Sequence, residues 1–237
     1  MQTAALVALG LSWSYQAIRA PAGELADALE RMQSLGYQGV NVTLPLKEEA
    51  FGWAQDIDEY SRSYNALNTL RLSLRKEGTN TDAPAFASRL VALGIPSDAR
   101  VLLIGAGGTA RALARILVAT ERSLCIWNRT RTRAETLAAE SGARVVDELA
   151  FAEYDLVVDA SSAALAGATL PIVWDGARCA VFQAAYSRTP SALLREAEAR
   201  GLRAEDGREM LIEQGALALE WWLGREAPRA AMRRALL

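Results

Sequence analysis

Histidine is absent from this 237-residue sequence. That removes Ser-His-Asp triads, Cys-His pairs, His-ligated zinc and every hydride transfer that relies on an imidazole acid. Cysteine is almost absent: Cys125 and Cys179 are too few for a disulfide scaffold or a four-cysteine metal site, so no metal is expected and a reducing cytoplasm is the expected location. Lysine is scarce too, because all but Lys47 and Lys76 of the 26 basic residues are arginine. Acid–base chemistry must therefore fall to Lys, Asp, Glu, Tyr or Cys. No run of uncharged apolar residues is long enough to span a membrane, and the opening MQTAALVALG lacks the basic start of a signal peptide. A net charge of −2 leaves no basic excess for nucleic acid. What is present is apolar: 51% of the residues are hydrophobic, enough to bury a core in one or two domains.

Periodicity divides the chain in two. Helical spacing is expected over 3–10 and 23–35, strands over 15–19 and 37–44, a charged helix over 46–64 and a strand over 66–74. Lys76-Glu77-Gly78 reads as a turn, and Asp82 as the cap of a helix over 84–93. From Gly94 the pattern changes. Apolar strands over 101–105, 123–128, 143–146, 154–161 and 179–184 alternate with helices over 108–119, 131–141 and 189–201, and a short helix is expected over 147–151. Such alternation predicts a parallel sheet covered on both faces, in an α/β protein. A last long helix is expected over 209–223.

The sharpest local signal is Gly105-Ala106-Gly107-Gly108-Thr109, which follows an apolar strand and opens a helix. A tight turn, a close approach by pyrophosphate and helix–strand packing each favour a missing Cβ, and the helix start offers unpaired N–H groups to a diphosphate. A site selective for NAD places Asp or Glu about 20 residues further on. Here that position holds Asn128, followed by Arg129-Thr130-Arg131-Thr132-Arg133. Guanidinium groups suit a 2′-phosphate, so NADP is the expected cofactor. Three solvated arginines at a helix start are the plainer alternative, although a helix N-terminus is a poor place for cations with no anion near.

The first half carries Asn41-Val42-Thr43-Leu44-Pro45-Leu46-Lys47, then Asn68-Thr69, then Asn80-Thr81-Asp82. Singly, each is ordinary cap or turn chemistry. Beside a nucleotide domain they offer one lysine, one aspartate and two amides as a polar pocket.

NVTLPLKEEA, ALNTL, TNTDA, LLIGAGGTAR, NRTRTRAE and MLIEQGALALEWW occur in that order. Together they resemble the shikimate 5-dehydrogenase family over nearly the whole chain. The resemblance implies an N-terminal α/β substrate domain, a Rossmann-like NADP-binding domain and a C-terminal helix returning to the first, with boundaries at 1–82 plus 208–237 and at 83–207. It implies NADPH-dependent reduction of 3-dehydroshikimate to shikimate by a monomer or homodimer with a small-molecule substrate. By residue, it implies Lys47 and Asp82 as the catalytic pair. Thr43, Asn68, Asp82 and Gln214 would bind substrate. Gly105, Ala106, Gly107, Gly108 and Thr109 would hold the diphosphate. Asn128, Arg129, Thr130 and Arg133 would hold the adenosine 2′-phosphate. Phe182 and Gly207 would lie at the cofactor, Gly207 beside the nicotinamide.

The departures are specific. Met1–Ala5 matches about the family's first helix, so the preceding strand and Ser-x-Ser loop have no counterpart, and their loss would leave an uncovered edge in the first sheet. The family's Asn-x-Thr reads Asp159-Ala160-Ser161 and its Gly-Leu-Gly-Met reads Gly207-Arg208-Glu209-Met210. Asp-x-x-Tyr is sought at Val181-Phe182-Gln183-Ala184, where no tyrosine stands unless Tyr186 replaces it. Asn-Thr-Asp-Gly ends in Ala83. Three readings stay open: a shikimate dehydrogenase, a paralogue reducing another small hydroxy acid, and a protein that binds NADP(H) without turnover.

Overall fold

The computed structural model describes residues 1–163 and 166–236. Leu237, the last residue of the expected first domain, lies outside them. The chain divides into two compact units, Met1–Phe86 with Glu209–Leu237, and Ala87–Arg208.

The first unit contains α1 (Gln2–Ala8), α2 (Leu25–Ser34), β1 (Gly39–Asn41), α3 (Lys47–Trp53), β2 (Asp56–Ile57), α4 (Glu59–Arg62), β3 (Thr69–Arg71), β4 (Glu77–Thr79) and the start of α5 (Asp82–Ala92). Its sheet runs β1-β3-β4-β2; β3 is antiparallel to both neighbours and β2 is parallel to β4. Leu25, Leu29, Ile57, Leu67 and Leu70 form its core.

Several expectations fail here for identifiable reasons. Residues 15–19 make no strand; Tyr15 reaches β1 through its hydroxyl, donating to Asn41 Oδ1 at 2.9 Å, and not through a backbone ladder. The expected helix over 46–64 is broken. Ala54 turns extended at ψ 140° and ends α3, Ile57 enters the sheet, and the Asp58 side chain caps α4 by accepting from Ser61 N. The expected turn at 76–78 runs into β4, and strand 66–74 shrinks to β3. Helix α5 begins at Asp82 itself, two residues earlier than expected, and Asn80 Oδ1 caps its start, accepting from Asp82 N at 3.0 Å and Ala83 N at 3.1 Å.

The second unit follows the expected alternation: β5 (Arg100–Ile104), α6 (Gly108–Ala119), β6 (Ser123–Trp127), α7 (Arg131–Ser141), β7 (Arg144–Val145), β8 (Leu149–Ala150), β9 (Leu156–Asp159), β10 (Ile172–Val173), β11 (Ala180–Gln183), α8 (Ala192–Ala199) and β12 (Ala204–Asp206). The main sheet is wholly parallel, in the order β12-β11-β9-β5-β6-β7. Strands buried on both faces read as unbroken apolar runs, and Val101 to Ile104 are all 0% exposed. The short helix expected at 147–151 is instead β8, paired with β10, followed by a 3₁₀ turn at Phe151–Glu153. Strand β12 escapes notice because it is short and polar; Arg89 of α5 holds its Glu205 with two hydrogen bonds of 2.9 and 2.8 Å. Cys125 and Cys179 are free and belong to the buried core, and burial pushes the Cys179 thiol up to about 11.

Helix α9 (Arg208–Leu223) and α10 (Arg229–Arg234) complete the first unit from Glu209 onward. Trp222 Nε1 donates to Leu70 O at 3.0 Å, and a Cβ on Gly39 would fall 2.6 Å from that indole nitrogen, so the strand needs glycine there. Arg229 fastens α10 to α9 through Glu213 and Glu220. The Arg229 hydrogen bond holds the Glu220 carboxyl below its usual range. A carboxyl depressed in the folded state adds stability above its unfolded value and loses it as pH falls through the folded one. Thermal melts are therefore expected to show a drop in Tm on acidification that is smaller in Glu220→Gln; equal drops in both proteins would remove Glu220 from the acid response.

Candidate active site

Lys47 opens α3 and Asp82 opens α5. Lys47 Nζ lies 2.6 Å from Asp82 Oδ2, and both side chains are 17% exposed. A helix start disfavours a cation and favours an anion. Lys47 therefore stands at the unfavourable end of its helix, and the carboxylate across from it offsets that cost. The α3 start is fixed by Leu67 N, which donates to Lys47 O at 3.0 Å.

Asn68 is 2% exposed, and its orientation is set by an unambiguous donor: Thr81 N bonds Asn68 Oδ1 at 2.8 Å. Thr69 Oγ1 donates to the same oxygen at 3.1 Å and Asn68 Nδ2 to Thr81 Oγ1 at 3.0 Å. Asn41 continues the chain of bonds, donating to Thr69 Oγ1 at 3.0 Å and accepting from Tyr15. Burial pushes the Tyr15 hydroxyl up. Thr43 is exposed, and its carbonyl accepts from Leu46 N at 2.9 Å in the turn that leads to Lys47. Gln214, on α9, donates its amide to Leu211 O at 2.9 Å within its own helix, and makes no hydrogen bond to Lys47 or Asp82 among the described residues.

In the second unit one cavity of about 640 Å³ is lined by Gly105, Ala106, Gly107, Gly108 and Thr109 together with Asn128, Arg129, Thr130 and Arg133. It sits at the carboxyl end of β5 and the start of α6, where open parallel sheets bind ligands. Gly105 has φ +113°, and a Cβ there would come within 3.0 Å of the Ala160 and Ser161 backbone. Gly107 differs. Its φ of −86° suits any residue, and a Cβ would meet no non-neighbouring atom within 4 Å. The chain itself gives no reason for glycine there, whereas a diphosphate lying on the loop does. The α6 start carries no acidic side chain. Arg131 is engaged by Glu135 and Asp147, but Arg129 and Arg133 are exposed and pair with no carboxylate among the described residues. Asn128 Nδ2 ties the loop by donating to Thr130 O at 2.8 Å. These residues fit a phosphorylated dinucleotide.

Phe182 and Gly207 fall outside that lining. Phe182 is 0% exposed within β11. Gly207 packs so closely that a Cβ would lie 2.2 Å from Ala184 O, and the same point is 3.6 Å from Tyr186 Cδ1. Tyr186, 45% exposed, is thus the aromatic ring beside Gly207. Gln183 to Tyr186 repeats the i, i+3 spacing of Asp-x-x-Tyr, with glutamine for aspartate, two residues later than the register read from sequence. Gln183 pairs in register with Asp159, and the two are 2% and 1% exposed. Burial pushes the Asp159 carboxyl up, partly offset by Ser161, whose N–H donates to Oδ1 at 2.9 Å.

A parallel sheet with a glycine-rich strand-to-helix loop, joined to a smaller unit bearing a lysine–aspartate pair, defines a two-domain dinucleotide-binding type of α/β protein. Three family models match in succession: the shikimate dehydrogenase substrate binding domain at residues 1–70, shikimate / quinate 5-dehydrogenase at 89–172, and the shikimate 5'-dehydrogenase C-terminal domain at 207–237. A shikimate dehydrogenase (NADP(+)) of Thermus thermophilus is 38% identical over 228 residues, covering 94% of this chain and 86% of the relative. One from Anaeromyxobacter is 37% identical over 250 residues, covering 100% and 89%. The chain belongs to the shikimate dehydrogenase family. Among solved structures, the Thermus thermophilus shikimate 5-dehydrogenase in complex with NADP(H) and shikimate superposes with TM-score 0.84 at 35% identity, covering 98% of this chain and 90% of that one. A 5-ketofructose reductase of Gluconobacter gives TM-score 0.84 at 30% identity, covering 99% and 91%.

The two glycines predict opposite outcomes. Gly105→Ala is expected to cost roughly 1–3 kcal/mol in thermal or urea unfolding, because backbone strain and crowding add. Gly107→Ala is expected to stay within about 0.5 kcal/mol of the parent. Equal losses would refute the distinction.

Proposed function

We propose that this protein is an NADP-dependent shikimate dehydrogenase that reversibly reduces 3-dehydroshikimate to shikimate. The observation that carries the chemistry is the part-buried 2.6 Å contact between Lys47 and Asp82 in a chain with no histidine. Reduction of a ketone needs a hydride at carbon and a proton at oxygen. NADPH, when bound, supplies the hydride. The Lys47 ammonium donates to the ketone oxygen and stabilises the charge that develops there. Asp82 holds the ammonium and accepts from a neighbouring ring hydroxyl. The fixed Asn68 oxygen leaves its amide N–H as the donor toward a hydroxyl, and the Gln214 amide, tied to Leu211 O, leaves its oxygen as an acceptor. Thr43 adds a hydroxyl beside the turn before Lys47. In the second unit Gly105 to Thr109 and the α6 start hold the diphosphate, with Asn128, Thr130 and the two unpaired arginines at the 2′-phosphate. Gly207 and Tyr186 border the nicotinamide, with Phe182 behind them in the sheet.

Residues 1–82 with 208–237 serve substrate, and 83–207 serve the dinucleotide. The reading includes a cytoplasmic enzyme, monomeric or homodimeric, in keeping with two free, buried thiols. A second reading is a family member that reduces another polyhydroxy ketone. It is favoured by the Gluconobacter 5-ketofructose reductase likeness and by the buried pair Asp159 and Gln183, which depart from the family pattern.

Loss of NADPH absorbance with 3-dehydroshikimate, beside 5-ketofructose, is the direct test. Turnover of the first is expected, and NADPH binding with no turnover would overturn the assignment. Lys47→Ala is expected to lower kcat by roughly 10²-fold or more, and an unchanged rate would remove Lys47 from the mechanism. Replacing Arg129 and Arg133 together by alanine is expected to weaken NADPH about 10- to 100-fold, as charge-assisted bonds are lost, while NADH binding stays nearly constant. Equal loss for both cofactors would rule out a 2′-phosphate site there.

A further inference from the structure

We propose that Asn80 is a positioning residue for the Lys47–Asp82 pair, acting as a cross-link among the segments that carry Lys47, Asn68 and Asp82. Its consequence for turnover rests on the shikimate dehydrogenase reading; its consequence for the ion pair does not.

Asn80 is 6% exposed, and both ends of its amide are used. Its Oδ1 accepts from Asp82 N at 3.0 Å and from Ala83 N at 3.1 Å, which fixes the first turn of α5. Its Nδ2 donates to Ala66 O at 2.8 Å. Ala66 stands two residues before Asn68 and one before Leu67, whose N–H donates to Lys47 O at 3.0 Å. A single side chain thus joins the helix start that presents Asp82 to the segment that holds Asn68 and the Lys47 backbone. The Asn80 backbone is itself anchored, because its N–H donates to Ser61 Oγ at 2.8 Å. Ser61 is 0% exposed, and its hydroxyl donates to Asp58 Oδ2 at 2.7 Å.

The residue type supports the same conclusion. Helix capping needs only an acceptor, and Ser, Thr or Asp supplies one. The bond to Ala66 O needs a donor at the far end of the side chain. Serine is too short to cap and reach it together, and aspartate would set an acceptor against a carbonyl. Asparagine does both. Without the cross-link α5 keeps its cap and Thr81 stays bonded to Asn68, but the tie from the Asp82 turn to Ala66, beside the Leu67 that holds Lys47 O, is gone, and the 2.6 Å contact loosens.

The test uses the full chain with Asn80→Ser and Asn80→Asp, each of which preserves a cap. Reductive ¹³C-methylation labels only Lys47, Lys76 and the N-terminus, so a Lys76→Arg control assigns the Lys47 signal. In both variants this signal is expected to move from its parental position toward its position in Asp82→Asn. kcat is expected to fall about tenfold, with NADPH affinity unchanged. A Lys47 signal unmoved in a folded variant would reduce Asn80 to a helix cap and overturn the proposal, as would parental kcat in Asn80→Ser. If one variant does not fold, the other carries the same measurement. A parent inactive on 3-dehydroshikimate would sink the reaction assignment alone, since the methyl signal reads the ion pair directly.

Discussion

The contact between the Lys47 ammonium and the Asp82 carboxylate exists only if two helix starts, 35 residues apart in sequence, are brought to within hydrogen-bonding distance. Neither helix does this alone. Lys47 occupies the end of α3 that repels a cation, whereas the first turn of α5 favours an anion, so the carboxylate of Asp82 makes the lysine's position tenable. The segment between them carries Asn68, just before β3, with Thr69 in β3 and Thr81 before α5 to brace it.

The second unit works on a different principle. The central strands of its main sheet, β5, β6, β9 and β11, are apolar and parallel, and what they position is backbone: the turn at Gly105 and the N–H groups that open α6. Side chains matter mostly at the next strand end, where Arg129 and Arg133 pair with no carboxylate among the described residues. A site made of backbone dipoles and unpaired guanidinium groups suits a polyanion, while a buried acid–base pair suits a ketone flanked by hydroxyls. On the proposed reading the chemistry is divided between the units, recognition of phosphate in one and protonation in the other.

That division also explains what could be read from sequence. The Rossmann-like half was legible because burial on both faces leaves uninterrupted runs such as Val101–Ile104, and because the glycine loop and Arg129–Arg133 are contiguous. The first unit was harder. β2 and β4 are too short to show an alternation, and the charges around Asp56 to Glu59 imitate a helix until Ala54 and Asp58 are seen to break it. Asp82 drew the eye as a cap because a carboxylate at a helix start often is one; Asn80, two residues earlier, holds the first turn of α5 as well. Tyr186 stood only as a possible substitute because of register, since the loop after β11 is aligned by its spacing from Gln183 and not from the strand. Asn41, Thr69 and Thr81 left no individual signal, because hydrogen bonds between distant segments have no local period.

The two thiols have a use that follows from their burial. Cys125 and Cys179 both lie in the core of the parallel-sheet unit, and the first unit has none. An alkylating reagent therefore meets these thiols only when that sheet opens. The chain carries a built-in clock for the breathing of one half, against which the opening of the other half passes unrecorded.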